Sequence, residues 1–310
     1  MRKSADRPLV SIVIPVRNEE TALRRLLNTF KRQTYKNFEV IVVDGHSTDE
    51  TVRIAKKYGA RVIEEHGAYR SPANARNIGV EESVGEIIGI MDSDNEVEPN
   101  FVKSTVDAYL KDKNRFFGTK YTIDICDDSF LSRVRAAHIS ATESNVTPLP
   151  VFMLAKHRRA LGKWDPALGY AEDRVYMKQV ENYLAAHHNL RMVQVKSTIH
   201  LHVTHNLSEL LSQQIWYGRT IPFYLCKTKK LREYRTLLRA GYVLIPFGLF
   251  SYPIFLLSLP FLFLTIYHMV SALAKKKKYG LFIPVLDVLM GFGFLAGLVE
   301  SFFVKTRGRD

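Results

Sequence analysis

The chain has 310 residues, of which 46% are hydrophobic and 24% charged, and this length fits one large domain with an extension or two domains. Its formal net charge is +13, but 13 Lys/Arg against 4 Asp/Glu follow residue 226, so the excess lies mainly in the tail. That distribution, without a base-readout motif, argues against a nucleic-acid partner, and Cys126 and Cys226 alone exclude a disulfide framework.

The first 125 residues alternate between two hydrophobic periods. Runs rich in Val and Ile predict strands, and apolar residues at helical spacing predict the helices between them. The predicted strands are VSIVI and the segments 38–44, 60–65 and 86–92. The predicted helices are 19–33, one ending at Lys57, one over about 72–83 and one after Pro99. This order is typical of an α/β fold with a doubly wound, mostly parallel sheet.

The composition of the tail changes from basic to apolar at Gly241. Residues 242–270 contain no Asp, Glu, Lys or Arg, and a second apolar run covers 281–303. The first run exceeds the ~20 residues that span a hydrocarbon core. We therefore predict an α/β domain at 1–226, a basic juxtamembrane segment at 227–241 and a membrane region at 242–310.

The membrane topology is left open by the sequence. A single crossing by 242–270 would place Lys275 to Lys278 outside, against the positive-inside tendency, whereas three prolines in that run permit a kinked or re-entrant hairpin. Within the second run, Gly293 and Gly297 are spaced for a helix-packing contact.

An acidic turn, IIGIMDSDNEVEPN at 87–100, follows the last predicted strand. Asp92, Asp94 and Glu96 would repel one another unless a cation or hydrogen-bond donors lie between them. One interpretation is a solvated turn that caps the next helix. The other is a hard divalent metal at the carboxyl end of the strand, where open α/β sheets bind ligands. Asp44 ends another strand at the same edge.

Five motifs occur in a fixed order: VSIVIPVRNEE, VIVVDGHSTDET, ANARNIG, MDSDNE and GYAEDRVYM. As a set over about residues 8–220 they resemble the family 2 glycosyltransferases, which have the GT-A nucleotide-sugar-binding fold. The resemblance implies that residues 1–226 form the catalytic domain. It also implies a nucleotide side of the donor pocket, built by Pro15, Asn18, Glu19, Asp44, Arg76 and Asn77.

Within that resemblance, Asp92-Ser93-Asp94 matches the family's D-x-D motif. Asp92 would contact the donor ribose or the metal shell, with Ser93 between the two carboxylates. Asp94 would bind Mn²⁺ or Mg²⁺, hard cations that suit oxygen ligands and phosphates. Glu96 stands where some relatives have a third metal ligand, but it could equally cap the helix after Pro99.

The second acidic pair, Glu172-Asp173, matches the family's E-D motif. Inverting transfer to a hydroxyl needs a general base, and the resemblance assigns Asp173 that role with Glu172 in support. An exposed acidic helix start is the alternative. His202 is a candidate near the metal, although ordinary polar surface is an equal interpretation.

A third group of candidates lies downstream in SQQIWYGR. This stretch departs from the Q-x-x-R-W motif of processive synthases. Trp216 and Tyr217 could form an acceptor-stacking wall, with Arg219 near phosphate; a plain amphipathic helix is the alternative.

Together these features predict a membrane-bound, metal-dependent, inverting glycosyltransferase. It would use a UDP- or GDP-linked sugar donor and a lipid-linked or glycan hydroxyl acceptor at the cytoplasmic face of the bilayer. The sequence leaves two alternatives open: a polyprenyl-phosphate sugar synthase, and a non-catalytic membrane protein that binds nucleotide sugars. The donor sugar, its base and the acceptor are not predicted, and the segment 121–160 shows no motif.

Overall fold

A computed structural model of the protein describes residues 7–126, 129–142, 147, 149–168, 172–203, 206–228, 237, 240–248 and 250–303. Most of the predicted basic segment 227–241 therefore lies outside the described residues. The amino-terminal elements alternate strand and helix, as the periodicity predicts. They are β1 (Val10–Val16), α1 (Glu20–Lys31), β2 (Phe38–Asp44), α2 (Thr51–Lys57), β3 (Arg61–Glu64), α3 (Pro72–Glu82), β4 (Ile87–Ile90), β5 (Asn95–Val97) and α4 (Phe101–Lys111).

The second part of the chain is richer in helix. Its elements are β6 (Phe116–Cys126), α5 (Phe130–Thr142), β7 (Phe152–Leu154), α6 (Ala155–Ala160), α7 (Glu172–Ala186), β8 (Arg191–His202), α8 (Leu207–Thr228), α9 (Leu244–Phe247), α10 (Tyr252–Ala274), a 3₁₀ helix (Lys278–Phe282) and α11 (Ile283–Glu300). The long strands β6 and β8 were not predicted, and their parallel pairing has two register shifts, between Phe116 and Gly118 and between Lys120 and Thr122.

The described strands form one mixed sheet in the order β3-β2-β1-β4-β7-β6-β8-β5. The first four are parallel to one another, as predicted. β7 is antiparallel to both of its neighbours, and β6 and β8 are parallel. The α/β fold with a mostly parallel sheet is thus confirmed, with antiparallel pairing added in its second half.

Both faces of the sheet are covered by helices. Alternate residues of a strand point to opposite faces. Ile12 of β1 packs in one cluster with α1, α2 and α4, while Val13 packs in another with α3 and α7. A strand buried on both faces reads as a continuous apolar run, which is why VSIVI and EVIVV were recognisable. The loops that follow β1 and β2 therefore start from strand ends that are largely buried.

Part of the acidic turn forms a short strand. Residues Asn95–Val97 form β5, which pairs antiparallel with β8 and places Glu96 opposite His200. Of the two interpretations left open for Glu96, the helix cap is wrong, because α4 begins at Phe101 with Asn100 at its N-cap. The β5–β8 pairing brings a distant part of the chain to the D-x-D motif.

The carboxyl-terminal region packs against the α/β domain. α8 lies along α11, and α5 contacts both α10 and α11. Glycines allow the close approach of α8 to α11: a Cβ at Gly297 would lie 1.8 Å from the Ile215 carbonyl oxygen, and one at Gly218 would lie 2.0 Å from that of Phe294. Gly293 meets Gln214 in the same way, so the helix-packing role expected of Gly293 and Gly297 is confirmed.

Two helical segments among the described residues are long and apolar enough to cross a membrane. They are Tyr252–Ala274 and Lys278–Glu300, each of 23 residues, with mean hydropathies of 1.9 and 2.1. The run 242–270 is not one continuous helix, because α9 ends at Phe247 and α10 begins at Tyr252. Lys275 to Lys278 lie at the connection between α10 and α11, so these two helices, rather than the halves of 242–270, form the hairpin.

Candidate active site

A cleft of about 500 Å³ opens at the carboxyl edge of β1, β2 and β4. The loops after these strands meet there because parallel strands end at the same edge of a sheet. Most of the residues expected to act on substrate contribute to its wall. They are Pro15, Glu19, Arg76, Asp92, Ser93, Asp94, Glu172, Asp173, Trp216 and Tyr217.

Arg76 joins the two acidic motifs at the centre of this cleft. It lies on α3, and its side chain is only 7% exposed. One guanidinium nitrogen donates to Glu172 Oε1 at 3.0 Å and to Asp173 Oδ1 at 3.2 Å, and the other donates to Asp92 Oδ1 at 3.1 Å. Burial lowers the pKa of Arg76, but the three carboxylates outweigh it and the net shift is upward. The charge is therefore held permanently between D-x-D and E-D.

Replacing Arg76 by Met should destabilise the fold by about 3 kcal/mol, because Glu172, 11% exposed, would keep a buried carboxylate without its partner. Urea unfolding of the full chain measures this. Arg61→Met is the matched control: its partner carboxylate on Glu82 is solvent-exposed, and the loss there should stay below about 1 kcal/mol. Adding Glu172→Gln to Arg76→Met should restore part of the stability. Equal losses from the two arginine variants would contradict the buried network.

Asp94 has the features of a cation ligand. Its Oδ1 is buried and has no hydrogen-bond partner among the described residues. Burial, with the carboxylates of Asp92 and Glu19, raises the pKa of Asp94 to about 7. A buried, unsatisfied carboxylate oxygen beside two further carboxylates is unfavourable unless a cation or proton neutralises it. These residues therefore fit a hard divalent cation.

Glu96 and His202 lie next to this pair of aspartates. The His202 backbone N–H donates to the Asp94 carbonyl at 2.9 Å, and His202 Nε2 lies 2.9 Å from Glu96 Oε1. On the other side of the ring, Nδ1 lies 3.4 Å from the Arg25 guanidinium. The two residues predicted as additional ligands thus contact each other and border the D-x-D turn, although neither lines the cleft itself.

Three residues that were predicted to contact the sugar donor form hydrogen bonds within the protein. Asn77 is buried, and its amide exchanges two hydrogen bonds with the Trp164 backbone, at 2.8 and 2.9 Å. Asp44 is 5% exposed and accepts from the Ser47 N–H. Asn18, at φ +54, accepts from the Thr48 N–H and links the loops after β1 and β2. None of the three lines the cleft.

Of the three acceptor candidates, two line the cleft and one does not. Trp216 and Tyr217 lie on α8 and line the cleft. Arg219, one turn away, forms a two-nitrogen contact with Glu300 of α11, at 2.6 and 3.1 Å. The structure places Arg219 at a helix–helix contact and not in the cleft wall.

Four charged residues of the cleft wall were not identified from the sequence. They are Arg17, Glu65, Arg70 and Arg174. Glu65 follows β3, is 4% exposed and accepts from the Ser71 N–H and the Asn74 amide. Because β3 ends at the same sheet edge, the sequence pattern could have indicated Glu65 as a residue of the cleft. The arginines lie in loops and at a helix start, where no periodicity marks them.

The mixed α/β sheet has the GT-A fold. The solved mannosyltransferase PcManGT from Pyrobaculum calidifontis has a similar fold, with a TM-score of 0.54 and 15% identity over 97% of this chain and 88% of that chain. Residues 11–163 match the model of the family described as glycosyl transferase family 2. The amino-terminal half of the chain is therefore a glycosyl transferase family 2 domain.

Curated relatives align with part of the chain. An uncharacterized glycosyltransferase from Rickettsia bellii is 32% identical over 149 residues, which cover 46% of this chain and 22% of that protein. The glycosyltransferase GlyG from Streptococcus pneumoniae is 31% identical over 128 residues, which cover 39% of this chain and 42% of GlyG. The chain thus aligns with less than half the length of these relatives.

Proposed function

We propose that the protein is a membrane-attached, metal-dependent, inverting glycosyltransferase. It moves a sugar from a UDP- or GDP-linked donor to a hydroxyl of a lipid-linked or glycan acceptor. The observation that carries this proposal is the contact of Arg76 with Asp92, Glu172 and Asp173, since it brings the donor-side and acceptor-side acidic motifs together across one cleft.

Asp92 and Asp94 would hold Mn²⁺ or Mg²⁺, with Glu96 and His202 as neighbouring candidates. When bound, the cation supplies charge neutralisation to the departing nucleoside diphosphate. In support, the PcManGT structure is described as a complex with GDP-Man and Mn²⁺. Ser93 and Glu19 complete this side of the cleft, and Pro15, near the end of β1, borders it.

The pH dependence of Mn²⁺ binding tests this assignment. The pKa of Asp94 in the metal-free fold is about 7, so the carboxyl is mostly protonated below that pH and must lose its proton to bind a cation. Mn²⁺ affinity should therefore rise by about tenfold over the two pH units centred on about 7. Electron paramagnetic resonance of free Mn²⁺ measures it. A flat or falling profile, with the fold unchanged by circular dichroism, would contradict the role of Asp94.

Asp173 would act as the general base. Its side chain is 49% exposed and can be reached by an acceptor, whereas Glu172 lies almost buried behind it. The acceptor oxygen bonds to the anomeric carbon, the bond from that carbon to the diphosphate breaks, and the acceptor proton passes to Asp173. Glu172 is only 11% exposed and accepts from Arg76 at 3.0 Å, so it is placed to hold the guanidinium and not to reach an acceptor.

The acceptor would approach from the side of Trp216 and Tyr217. Their rings lie 5.5 Å apart at 46° on the cleft wall, a surface on which a sugar or isoprenoid can pack. The same helix, α8, packs along α11 of the hairpin. A bilayer next to the hairpin would therefore present a lipid-linked acceptor close to these rings.

The outer face of α10 is the proposed membrane contact. Phe263, Leu257 and Tyr267 are each more than 60% exposed there. Replacing Leu257 and Phe263 together by Asp should lower partitioning onto anionic lipid vesicles by at least about tenfold, since each apolar side chain contributes about 1.5–3 kcal/mol on burial. Val84→Asp, at an equally exposed apolar residue of the α/β domain, should leave partitioning unchanged. Equal partitioning of both variants in a sedimentation assay would contradict this attachment.

The decisive experiment is a donor panel. Purified full-length protein is incubated with UDP- and GDP-sugars and lipid extract as acceptor, with Mn²⁺ or with EDTA, and nucleoside diphosphate release and glycolipid formation are measured. Transfer from one donor class, abolished by EDTA and restored by Mn²⁺, is the expected result. Binding of nucleotide sugar without any turnover would favour a non-catalytic nucleotide-sugar-binding protein.

A further inference from the structure

A second cluster of metal-ligating side chains lies outside the cleft, where the α/β domain meets the hairpin. His138 comes from α5, His268 from α10 and Asp287 from α11. His138 Nε2 lies 3.2 Å from one Asp287 oxygen, and His268 Nδ1 lies 3.8 Å from the other. One atom from each of the three residues can be chosen so that all lie within 4.8 Å of one another.

The carboxylate of this cluster is unusual for its surroundings. Asp287 is 1% exposed and lies within the apolar helix α11. Thr265 of α10 donates to its Oδ2 at 2.5 Å. No Lys or Arg among the described residues forms an ion pair with it. An ionisable residue on an apolar helix is costly to retain, and its presence points to a specific partner.

The free nitrogen of His268 supplies an independent observation. Nδ1 is buried and has no hydrogen-bond partner among the described residues. At 3.8 Å from Asp287 Oδ2 it is too far for a direct hydrogen bond. A buried ring nitrogen that faces a buried carboxylate across such a gap leaves room for an atom that bonds to both.

We propose that His138, His268 and Asp287 bind a first-row transition-metal cation, with Zn²⁺ as the best match. Two imidazoles and one carboxylate form a ligand set found at zinc sites, and the nitrogen ligands separate it from the all-carboxylate D-x-D turn, which suits Mg²⁺ or Mn²⁺. Ligands about 2.0–2.1 Å from a tetrahedral Zn²⁺ lie about 3.3 Å apart. The distance from His138 Nε2 to Asp287 Oδ1, 3.2 Å, already matches this value. The distance from His268 Nδ1 to Asp287 Oδ2, 3.8 Å, exceeds it by roughly half an ångström.

Thr265 supports the ligand set from behind. Its hydroxyl holds the carboxylate oxygen that faces His268, as partners of metal ligands commonly do. The three ligands come from α5 of the α/β domain and from both helices of the hairpin. A cation there joins the catalytic domain to the membrane region. This inference does not depend on the donor or acceptor proposed above.

The test measures metal content rather than activity. Full-length protein in detergent is stripped with a chelator, resupplied with Zn²⁺, separated from free metal by gel filtration and analysed by mass spectrometry for metals. Wild-type protein should retain one Zn²⁺ per chain. Asp287→Asn, which keeps the shape of the side chain, should retain less than about a tenth of that amount. Asp94→Asn should retain the wild-type amount, because its metal site is separate.

Two further comparisons make the outcome decisive. His200→Ala removes a histidine that pairs with Asp124 elsewhere and should not change the retained Zn²⁺. His138→Gln changes the partly exposed edge of the cluster and replaces Asp287→Asn if that variant fails to accumulate. Zn²⁺ should raise the thermal midpoint of wild type and Asp94→Asn but not of the cluster variants. Failure of wild type to retain Zn²⁺, or equal retention by His138→Gln and His200→Ala, overturns the proposal.

Discussion

Replacing Asp173 by Asn should lower transfer to a hydroxyl acceptor by about 10²–10⁴-fold, the range that a general base contributes. The amide oxygen of Asn can still accept from Arg76, which now donates to Asp173 Oδ1 at 3.2 Å, so the cleft should keep its shape. Donor affinity should be unchanged because Asp173 lies on the acceptor side. Steady-state transfer rates, together with nucleotide-sugar binding by calorimetry, measure both quantities.

The same variant distinguishes two kinds of acceptor. A polyprenyl phosphate is already an anion and needs little help from a base, so a loss of less than about tenfold would favour a polyprenyl-phosphate sugar synthase. A near-complete loss supports a hydroxyl acceptor. Asp124→Asn, which changes a carboxylate 67% exposed on β6, is the matched control and should keep full activity. A loss of donor affinity in Asp173→Asn would contradict the division of the cleft into donor and acceptor sides.

Replacing Asp94 by Asn should lower donor turnover by about 10²–10³-fold, the cost of removing one preorganised electrostatic contribution from an active site. The reason is the position of its Oδ1, which is buried and unpartnered next to Asp92. An amide of the same shape fills the space but binds a hard cation weakly. Turnover as a function of Mn²⁺ concentration measures the effect, and a higher Mn²⁺ requirement should accompany the loss.

A control for Asp94→Asn lies in the same turn. Asn95 lies on β5 and donates from its side chain to the Asp92 carbonyl. Asn95→Ser keeps a polar side chain but leaves both aspartates intact, so it should keep the Mn²⁺ requirement of wild type. Full turnover of Asp94→Asn in EDTA would remove the metal from the proposed reaction.

Of the two replaced aspartates, Asp173 belongs to the Arg76 network and Asp94 does not. Asp92 and Asp173 share the Arg76 guanidinium, and no hydrogen bond or ion pair joins Arg76 to Asp94 among the described residues. The effects of Asp94→Asn and Asp173→Asn should therefore be close to additive, while Arg76→Met should be non-additive with Asp173→Asn because those residues are in direct contact. The buried arginine explains how acidic motifs 81 positions apart can keep one geometry.

Much of the α/β domain follows from local sequence. β2 and α2 end where the periodicity places their ends, and the D-x-D turn was recognisable because its carboxylates are neighbours in the chain. Hydrophobic period and turn chemistry act over a few residues, so they can be interpreted without knowledge of packing. For the same reason, the sequence indicated that 242–270 and 281–303 are apolar but not which helices would pair.

Contacts between distant residues were decided by the tertiary structure alone. Arg76 meets Glu172 across 96 positions, and Glu96 meets His202 across 106 because β5 pairs with β8. Neither contact has a local signal, since each depends on sheet order. Asn77 shows that a local motif can also mislead. Its motif predicted a contact with the sugar donor, but its side-chain amide is buried and forms hydrogen bonds with the Trp164 backbone. The sequence by itself determined which residue types reach the cleft edge; the fold decided which of them meet, because long-range pairing is set by the packing of the whole sheet and hairpin.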